Sequence, residues 1–237
     1  MKTYIWTLPT RIFHWLLAIA FTIAYILGGD EKYINLHAGM GIFIGVLVFS
    51  RVLQGVFGPR YAQFSDFPVS INSIRLFLTK TKQSKASHPG HNPLASLIML
   101  SIFLMALLSA ISGMLIFASG DSGIFGLRLN PGTDPEMFEE IHEIVANLFL
   151  FFVGIHLMGI LLDTLFHNEN GTIWSIFTGY KRIIAIPAST TIFHKMFSFV
   201  WFTIPFVLLF YMLLYHPMPG SEKDNMEQVY DTDNDED

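Results

Sequence analysis

The sequence predicts an all-α integral membrane protein, and three observations support this fold class: the composition, the length of the apolar segments and the distribution of charge. Of 237 residues, 52% are hydrophobic and 15% are aromatic, and the mean hydropathy is +0.48, which is unlike a soluble domain. Five segments with few charges reach the roughly 17–25 residues that a helix needs to cross a bilayer. They span residues 12–28, 36–57, 94–118, 139–166 and 192–215. We therefore expect a four-helix transmembrane bundle with a fifth transmembrane helix beside it.

The first apolar segment has two interpretations. Lys2 and Arg11 precede it, as basic residues precede the apolar core of a cleaved signal peptide. However, Gly-Gly-Asp-Glu follows Leu27 and offers no small-x-small cleavage site, and a signal peptide has no use for His14 in its core. We expect a retained first helix.

Basic residues predict the orientation of the helices, because cytoplasmic loops of membrane proteins are enriched in Lys and Arg. If the N-terminus is cytoplasmic and the five segments alternate in direction, 11 of the 14 basic residues lie on the inner side. These are Lys2, Arg11, Arg51, Arg60, Arg75, Lys80, Lys82, Lys85, Lys181, Arg182 and Lys195, whereas Lys32, Arg128 and Lys223 lie outside. The C-terminal tail is then on the outer side.

Acidic residues have the opposite distribution. They concentrate in the predicted outer loops and in the tail, residues 218–237, which has no apolar periodicity and is expected to be disordered. We interpret this charge as a solvated surface, and the alternative is that it docks a basic partner.

Histidines on the apolar segments predict the chemistry, because a polar imidazole within a membrane is costly and marks a functional site. His142 and His156 are 14 residues apart on the fourth segment, so both leave one helix face, roughly 21 Å apart along the axis. Given the helix directions, His14 lies level with His156 and His37 lies level with His142. The sequence therefore predicts two histidine pairs at two membrane depths, each a candidate ligand set for one haem.

The absence of cysteine narrows the type of haem. With no cysteine in the chain, disulfides, thiolate-bound iron–sulfur clusters and covalent c-type haem are excluded. Two noncovalent b haems, with His14, His37, His142 and His156 as axial iron ligands, are the cofactors that we expect.

Further candidate cofactor-binding residues lie on the second segment. Gly41 and Gly45 follow His37 on its own helix face and would let a flat macrocycle approach the backbone, although close helix packing is an equal alternative. Arg51 lies on that face near the inner side, and we expect it to bind haem propionates together with Arg11. The alternative for Arg51 is that it extends to lipid headgroups.

At these positions the chain resembles the bacterial cytochrome b family that contains cytochrome b561 and the b-type subunit of nickel–iron hydrogenases. The resemblance covers roughly residues 4–182 and rests on the order and spacing of several motifs. These are Trp6-Thr-Leu-Pro-Thr-Arg-Ile-Phe-His14-Trp15, Leu36-His37-Ala-Gly-Met-Gly, Phe49-Ser-Arg51, Phe57-Gly-Pro-Arg60-Tyr-Ala-Gln-Phe-Ser-Asp-Phe67, Gly90-His91-Asn-Pro93, His142, His156 and Phe166-His167-Asn-Glu169-Asn. The resemblance implies a four-helix core with two bis-histidine haems at His14, His37, His142 and His156. It also implies electron transfer between membrane quinone and an outer-face partner, in a bacterial inner membrane.

The remaining histidines have other interpretations. His91 precedes Asn92 and Pro93, which are typical of a helix N-cap and first turn, so a structural role is favoured over a propionate or quinone contact for His88 and His91. His167 follows His156 on nearly the same face and is the main alternative inner ligand. His194 and His216 flank the fifth segment and are expected at the membrane interface.

Three domains follow: a di-haem cytochrome b domain (1–182), an additional transmembrane helix (183–217) and the acidic tail. Quinone-side candidates are Arg11, Arg51, His91 and His167, and outer partners would be a periplasmic c-type cytochrome or a dehydrogenase or hydrogenase subunit. Two alternatives stay open, a membrane metal-binding protein or transporter that uses the same histidines, and a non-catalytic membrane anchor. The sequence contains no His-Glu-x-x-His motif, which would have supported the metal alternative.

Overall fold

The computed structural model describes residues 1–79, 88–119, 129, 134–166 and 171–215 and is nearly all helical. The predicted segments correspond to five long helices, and all five are long and apolar enough to cross a membrane. They are α1 (Leu8–Leu27), α2 (Ile34–Phe57), α4 (Pro93–Ser119), α5 (Pro135–Phe166) and α7 (Ile192–Tyr215). Shorter elements are β1 (Thr3–Tyr4), α3 (Ile71–Thr79), α6 (Thr172–Thr178) and β2 (Tyr180–Lys181). The predicted fold class is confirmed.

Two helices begin four residues earlier than the sequence analysis predicted. α1 starts at Leu8 rather than at residue 12, with Thr7 at its N-cap position and Pro9 in its first turn, where a proline costs no hydrogen bond. α5 starts at Pro135 rather than at residue 139 and contains 32 residues. At 1.5 Å per residue α5 is about 48 Å long, so it exceeds the roughly 30 Å hydrocarbon core and extends beyond the membrane.

The long helices pack in a defined order around one apolar core. α1 packs on α2, α2 on α4, and α4 on α5, while α7 packs along α2. Leu47, Val48 and Ala106 are fully buried at the centre of this core, and Leu209 brings α7 into it. Among the described residues, α5 makes almost no backbone contact with α1 or α2, although the three helices surround one interior. The backbone of α5 is therefore separated from α1 and α2 by a slot, which the rings of Phe21 and Phe149, with centres 4.5 Å apart, bridge midway.

A two-stranded ribbon closes one end of the bundle, which we call the ribbon end; the opposite end is the far end. β1 pairs antiparallel with β2, with Thr3 opposite Lys181. The ribbon covers a small core of Ile5, Trp6 and Ile183, and Trp6 donates its indole N–H to Ser175 Oγ at 3.0 Å. The sequence analysis did not predict the ribbon.

Gly179 lies in the turn that leads into β2, where a residue with a side chain does not fit. Its φ of +87° is in the left-handed region that favours glycine. A Cβ at this position would lie 2.5 Å from the Tyr4 ring and 2.7 Å from the Trp6 carbonyl oxygen. The Gly179 carbonyl oxygen accepts hydrogen bonds from the backbone N–H groups of Ile5 and Trp6, so the ribbon depends on this residue.

Candidate functional site

Two pairs of histidine rings face each other across the slot between α5 and the first two helices. Near the far end, His37 of α2 and His142 of α5 have ring centres 6.0 Å apart, and we call them the far pair. Nearer the ribbon end, His14 of α1 and His156 of α5 have ring centres 6.5 Å apart, and we call them the ribbon pair. The structure therefore brings together the same partners that helix direction and depth predicted. Their role as ligands stays a prediction.

The separation of each pair fits one metal ion between two imidazoles. A histidine nitrogen binds a metal at about 2.0 Å and lies about 1.2 Å from its own ring centre, so two opposed ligands have ring centres about 6.4 Å apart. Among the described residues, no three His, Asp or Glu side chains converge as a metal site. Two histidine ligands per site would suit a haem, because its porphyrin would supply the remaining iron ligands.

The far pair has fixed ring orientations. His37 Nδ1 lies 2.8 Å from the Ala24 carbonyl oxygen, and His142 Nδ1 lies 3.0 Å from the Ser109 carbonyl oxygen. A carbonyl oxygen can only accept, so each Nδ1 carries the proton and each Nε2 keeps its lone pair. This is the tautomer that a metal-binding histidine requires.

The two predicted glycines differ in their surroundings. A Cβ added to Gly41, one turn after His37, would meet no atom within 4 Å. A Cβ added to Gly45 would lie 2.7 Å from the Ala110 Cβ of α4. Open space for a macrocycle therefore exists at Gly41, whereas Gly45 has the alternative role, close helix packing. The paired rings, the slot and the space at Gly41 together fit a haem.

Arg51 is buried inside the protein. Only 2% of it is exposed, and its guanidinium lies between the rings of Phe13, Phe64 and Phe103 at 5.6–5.9 Å from their centres. Its Nη1 has no hydrogen-bond partner among the described residues. Extension to lipid headgroups is therefore wrong for Arg51, and a buried cation with a free N–H group fits an anionic group of a cofactor.

Arg11 lies at the ribbon end of α1. Its guanidinium donates to the Phe177 carbonyl oxygen, which ties α1 to α6. Its Nε is buried and unpartnered within the described part of the chain. The predicted pairing of Arg11 with propionates is not tested by these contacts.

His91 and Lys181 form a second polar layer at the ribbon end. The His91 ring packs against Trp6 and Phe67, with ring centres 4.7 and 5.3 Å away. Burial, and after it the charges of Lys181 and Arg51, lowers the pKa of His91 to about 3, so its imidazole is neutral. Burial lowers the pKa of Lys181 to about 8, and its ammonium group donates to the Gly90 carbonyl oxygen at 2.8 Å. Lys181, beside His91, was missed by the sequence analysis.

Asn92 caps α4 as predicted, since its Oδ1 accepts the Ala95 backbone N–H at 2.8 Å. Sequence reasoning also missed two buried polar residues near this end, Gln54 and Ser96, which are 2% and 0% exposed. The side-chain nitrogen and oxygen of Gln54 and the hydroxyl of Ser96 have no partners among the described residues. Gln54 could have been identified from the sequence as a candidate site residue, because it follows Arg51 by one helical turn.

The other described histidines contribute no ring to either pair. His194 exchanges hydrogen bonds with Thr191 at the start of α7, where it was expected at an interface. His88 lies near Phe77 of α3, with ring centres 6.1 Å apart. His167, His216 and the acidic tail lie outside the described residues.

A helical membrane bundle with two facing histidine pairs, and with no cysteine in the chain, is the arrangement expected of a b-type membrane cytochrome. Residues 5–179 match the family described as prokaryotic cytochrome b561, and the chain belongs to this family. Haem b is accordingly its cofactor.

Curated relatives agree with this assignment. The "Probable Ni/Fe-hydrogenase 1 B-type cytochrome subunit" of Escherichia coli, strains K12 and O157:H7, is 27% identical over 142 residues, covering 48% of this chain and 60% of the relative. The "Probable Ni/Fe-hydrogenase B-type cytochrome subunit" of Rhodobacter capsulatus is 21% identical over 204 residues, covering 71% of this chain and 78% of the relative. The chain thus spans about 60% of the length of the Escherichia coli relatives. No solved structure matches.

Proposed function

We propose that the protein is a di-haem b cytochrome that carries electrons across the membrane between quinone and an outer-face redox partner. The observation that carries this proposal is the presence of two histidine pairs at two depths of one bundle, with ring centres 6.0 and 6.5 Å apart. Bound haem supplies the electron-accepting iron at each depth. The chain supplies ligands, burial and a fixed separation between the two sites.

In this proposal His37 and His142 bind one iron, and His14 and His156 bind the other. The Nδ1–H groups of the far pair point to backbone carbonyls and hold the Nε2 atoms toward the slot. Arg51 and Arg11 bind propionates of the haem at the ribbon pair, since both have buried N–H groups without partners among the described residues. Gly41 leaves room for the macrocycle of the far pair.

The ribbon end is the cytoplasmic side. Arg60, Arg75 and Lys181 lie at this end, together with Lys2, Arg182 and Lys195, whereas Lys32 is the described basic residue of the far end. This distribution supports a cytoplasmic N-terminus and an inner-membrane location by the positive-inside rule. The C-terminal tail is then periplasmic.

Quinone and the redox partner bind at opposite ends of the helix bundle. The quinone-side candidates at the ribbon end are Arg11, Arg51 and His91, and the fourth candidate, His167, lies outside the described residues. The outer partner is a periplasmic redox protein, and the names of the relatives favour a nickel–iron hydrogenase over a dehydrogenase or a free c-type cytochrome.

The first test is the haem content of the purified protein. We expect a pyridine haemochrome assay and reduced-minus-oxidised spectra to give two b haems per chain. His37→Ala and His156→Ala should each lose one haem, while His194→Ala, a control histidine bonded to Thr191, should keep both. No haem in a folded, haem-supplied preparation would refute the proposal, and bound zinc or copper instead would establish the metal alternative.

A second test addresses the quinone. After reduction, added quinone should reoxidise the haem that His37→Ala retains, and a quinone-site inhibitor should block this step without changing the spectrum. Reoxidation that proceeds unchanged with the inhibitor would remove quinone from the ribbon end.

A further inference from the structure

The two histidine pairs differ in what lies behind their rings. In the far pair, both Nδ1 atoms donate to backbone carbonyls. In the ribbon pair, His14 Nδ1 is buried and has no partner among the described residues. Because a hydrogen bond from Nδ1–H makes the opposite ring nitrogen a stronger electron donor, the two sites are not equivalent as ligand fields.

The acceptor behind His37 is a helix end. Ala24 belongs to the last turn of α1, whose carbonyls have no partners within the helix. The C-terminus of a helix also carries a partial negative charge. His37 therefore caps α1 through Nδ1.

The acceptors behind His142 are two oxygens of α4. Ser112 Oγ lies 3.0 Å from His142 Nδ1 and 3.1 Å from the Ser109 carbonyl oxygen. The Ser109 carbonyl forces Nδ1 to be the donor, so the Ser112 hydroxyl donates to that carbonyl and accepts from His142. Ser112 is 4% exposed and has no access to bulk water. It forms a closed triangle with His142 and Ser109.

The ring of His142 also lies close to Gly113, the next residue of α4. A Cβ added to Gly113 would lie 3.2 Å from His142 Cε1, so this glycine permits the ring to sit close against α4. The sequence analysis assigned no role to Ser112, Ser109 or Gly113.

We propose that Ser112 is a positioning residue that lowers the reduction potential of the haem at the far pair. The inference rests on the proposed ligand role of His142 and adds the residue that tunes this ligand. By accepting from Nδ1–H, the Ser112 hydroxyl increases electron donation from His142 and stabilises the oxidised iron. Its removal leaves the Ser109 carbonyl as the one remaining acceptor, so the potential rises.

The test uses single-haem backgrounds, which remove any doubt over which haem is measured. In His156→Ala, which retains the far pair, we expect Ser112→Ala to raise the midpoint potential in a redox titration and to shift the low-spin ferric electron paramagnetic resonance signal. Ser112→Thr keeps the hydroxyl and should restore both values. In His37→Ala, which retains the ribbon pair, Ser112→Ala should change neither.

Ser119→Ala is the matched control, because Ser119 on the same helix also donates to a carbonyl three residues earlier and bonds to no histidine of the described chain. An unchanged far-pair potential in Ser112→Ala, or an equal shift in Ser119→Ala, overturns the proposal. If Ser112→Ala does not retain haem, Ser112→Cys, a weaker acceptor of similar size, is compared with Ser112→Thr, and equal potentials overturn it. A wild-type protein without haem would instead refute the proposed function.

Discussion

Gly41 offers a direct test of where the macrocycle lies. The substitution Gly41→Ala adds a methyl group where the polypeptide has no atom within 4 Å. Without haem it should be harmless, and the gain in helix propensity should stabilise α2 by about 0.5–1 kcal/mol. With haem at the far pair, the methyl group would enter the space of the macrocycle one turn from His37. We therefore expect a stable protein that loses one haem.

The magnitude follows from the cost of overpacking. Inserting a methyl group into a filled site costs about 1–3 kcal/mol, which corresponds to about 5- to 150-fold weaker haem retention. Gly45→Ala is the matched control on the same helix. Its Cβ would be 2.7 Å from the Ala110 Cβ, closer than the roughly 3.5–4.0 Å of carbon contacts, so α2 and α4 must separate. Gly45→Ala should lower stability by about 1–3 kcal/mol with or without haem.

The assay is haem per chain after detergent washing, together with the thermal unfolding midpoint of haem-free and haem-loaded protein. Gly41→Ala should lower haem retention and leave the haem-free midpoint equal or higher. If Gly41→Ala retains both haems as tightly as wild type, the space at Gly41 is not filled by a macrocycle and the reasoning fails.

Three further predictions concern the ribbon end. Arg51→Met removes a buried cation, so the midpoint potential of the ribbon-pair haem should fall in a redox titration. Arg51→Lys keeps the charge and should change this potential less. An unchanged potential in Arg51→Met would exclude a propionate role. Gly179→Ala forces a methyl group against Tyr4 at a φ of +87°. The free energy of unfolding should decrease by about 1–3 kcal/mol, which a lower thermal midpoint would show. An unchanged midpoint would mean that the ribbon does not contribute to stability. His91 has a folded pKa of about 3 against 6.5 when exposed, so protons favour the unfolded chain between these values. Stability should therefore decrease as the pH falls below 6.5, by up to about 1.4 kcal/mol per pH unit, and a His91→Asn variant that shows the same pH dependence would contradict this.

The long helices were predictable because a membrane imposes length and hydropathy on each segment separately. The partners within each histidine pair also followed from the sequence, since helix direction and 1.5 Å per residue determine depth. Helix starts were less accurate, because caps such as Thr7 are local features that hydropathy does not record. Asn92 is the exception, as the cap and the following proline are contiguous in sequence.

The contacts behind the histidines could not be predicted. Ser112 and Ala24 are small residues on other helices, and whether they lie against His142 or His37 depends on helix rotation, which the sequence does not determine. The burial of Arg51 has the same origin, because a cation at a helix end is compatible with either lipid headgroups or a packed interior. Strands as short as Thr3–Tyr4 carry no periodicity at all, so β1 and β2 left no pattern to detect.

The ribbon has a consequence for the order of events during synthesis. Thr3 Oγ1 donates to the Ile183 carbonyl oxygen, a contact that spans 180 residues of chain. At about 5–20 residues per second, the first residues wait roughly 10–35 s for their partner to be translated. During that interval four helices can enter the bilayer, and the ribbon beside the slot between α5 and its neighbours has not yet formed. Completion of the ribbon, which ties the start of the chain to the segment after α6, is thus a late step of folding.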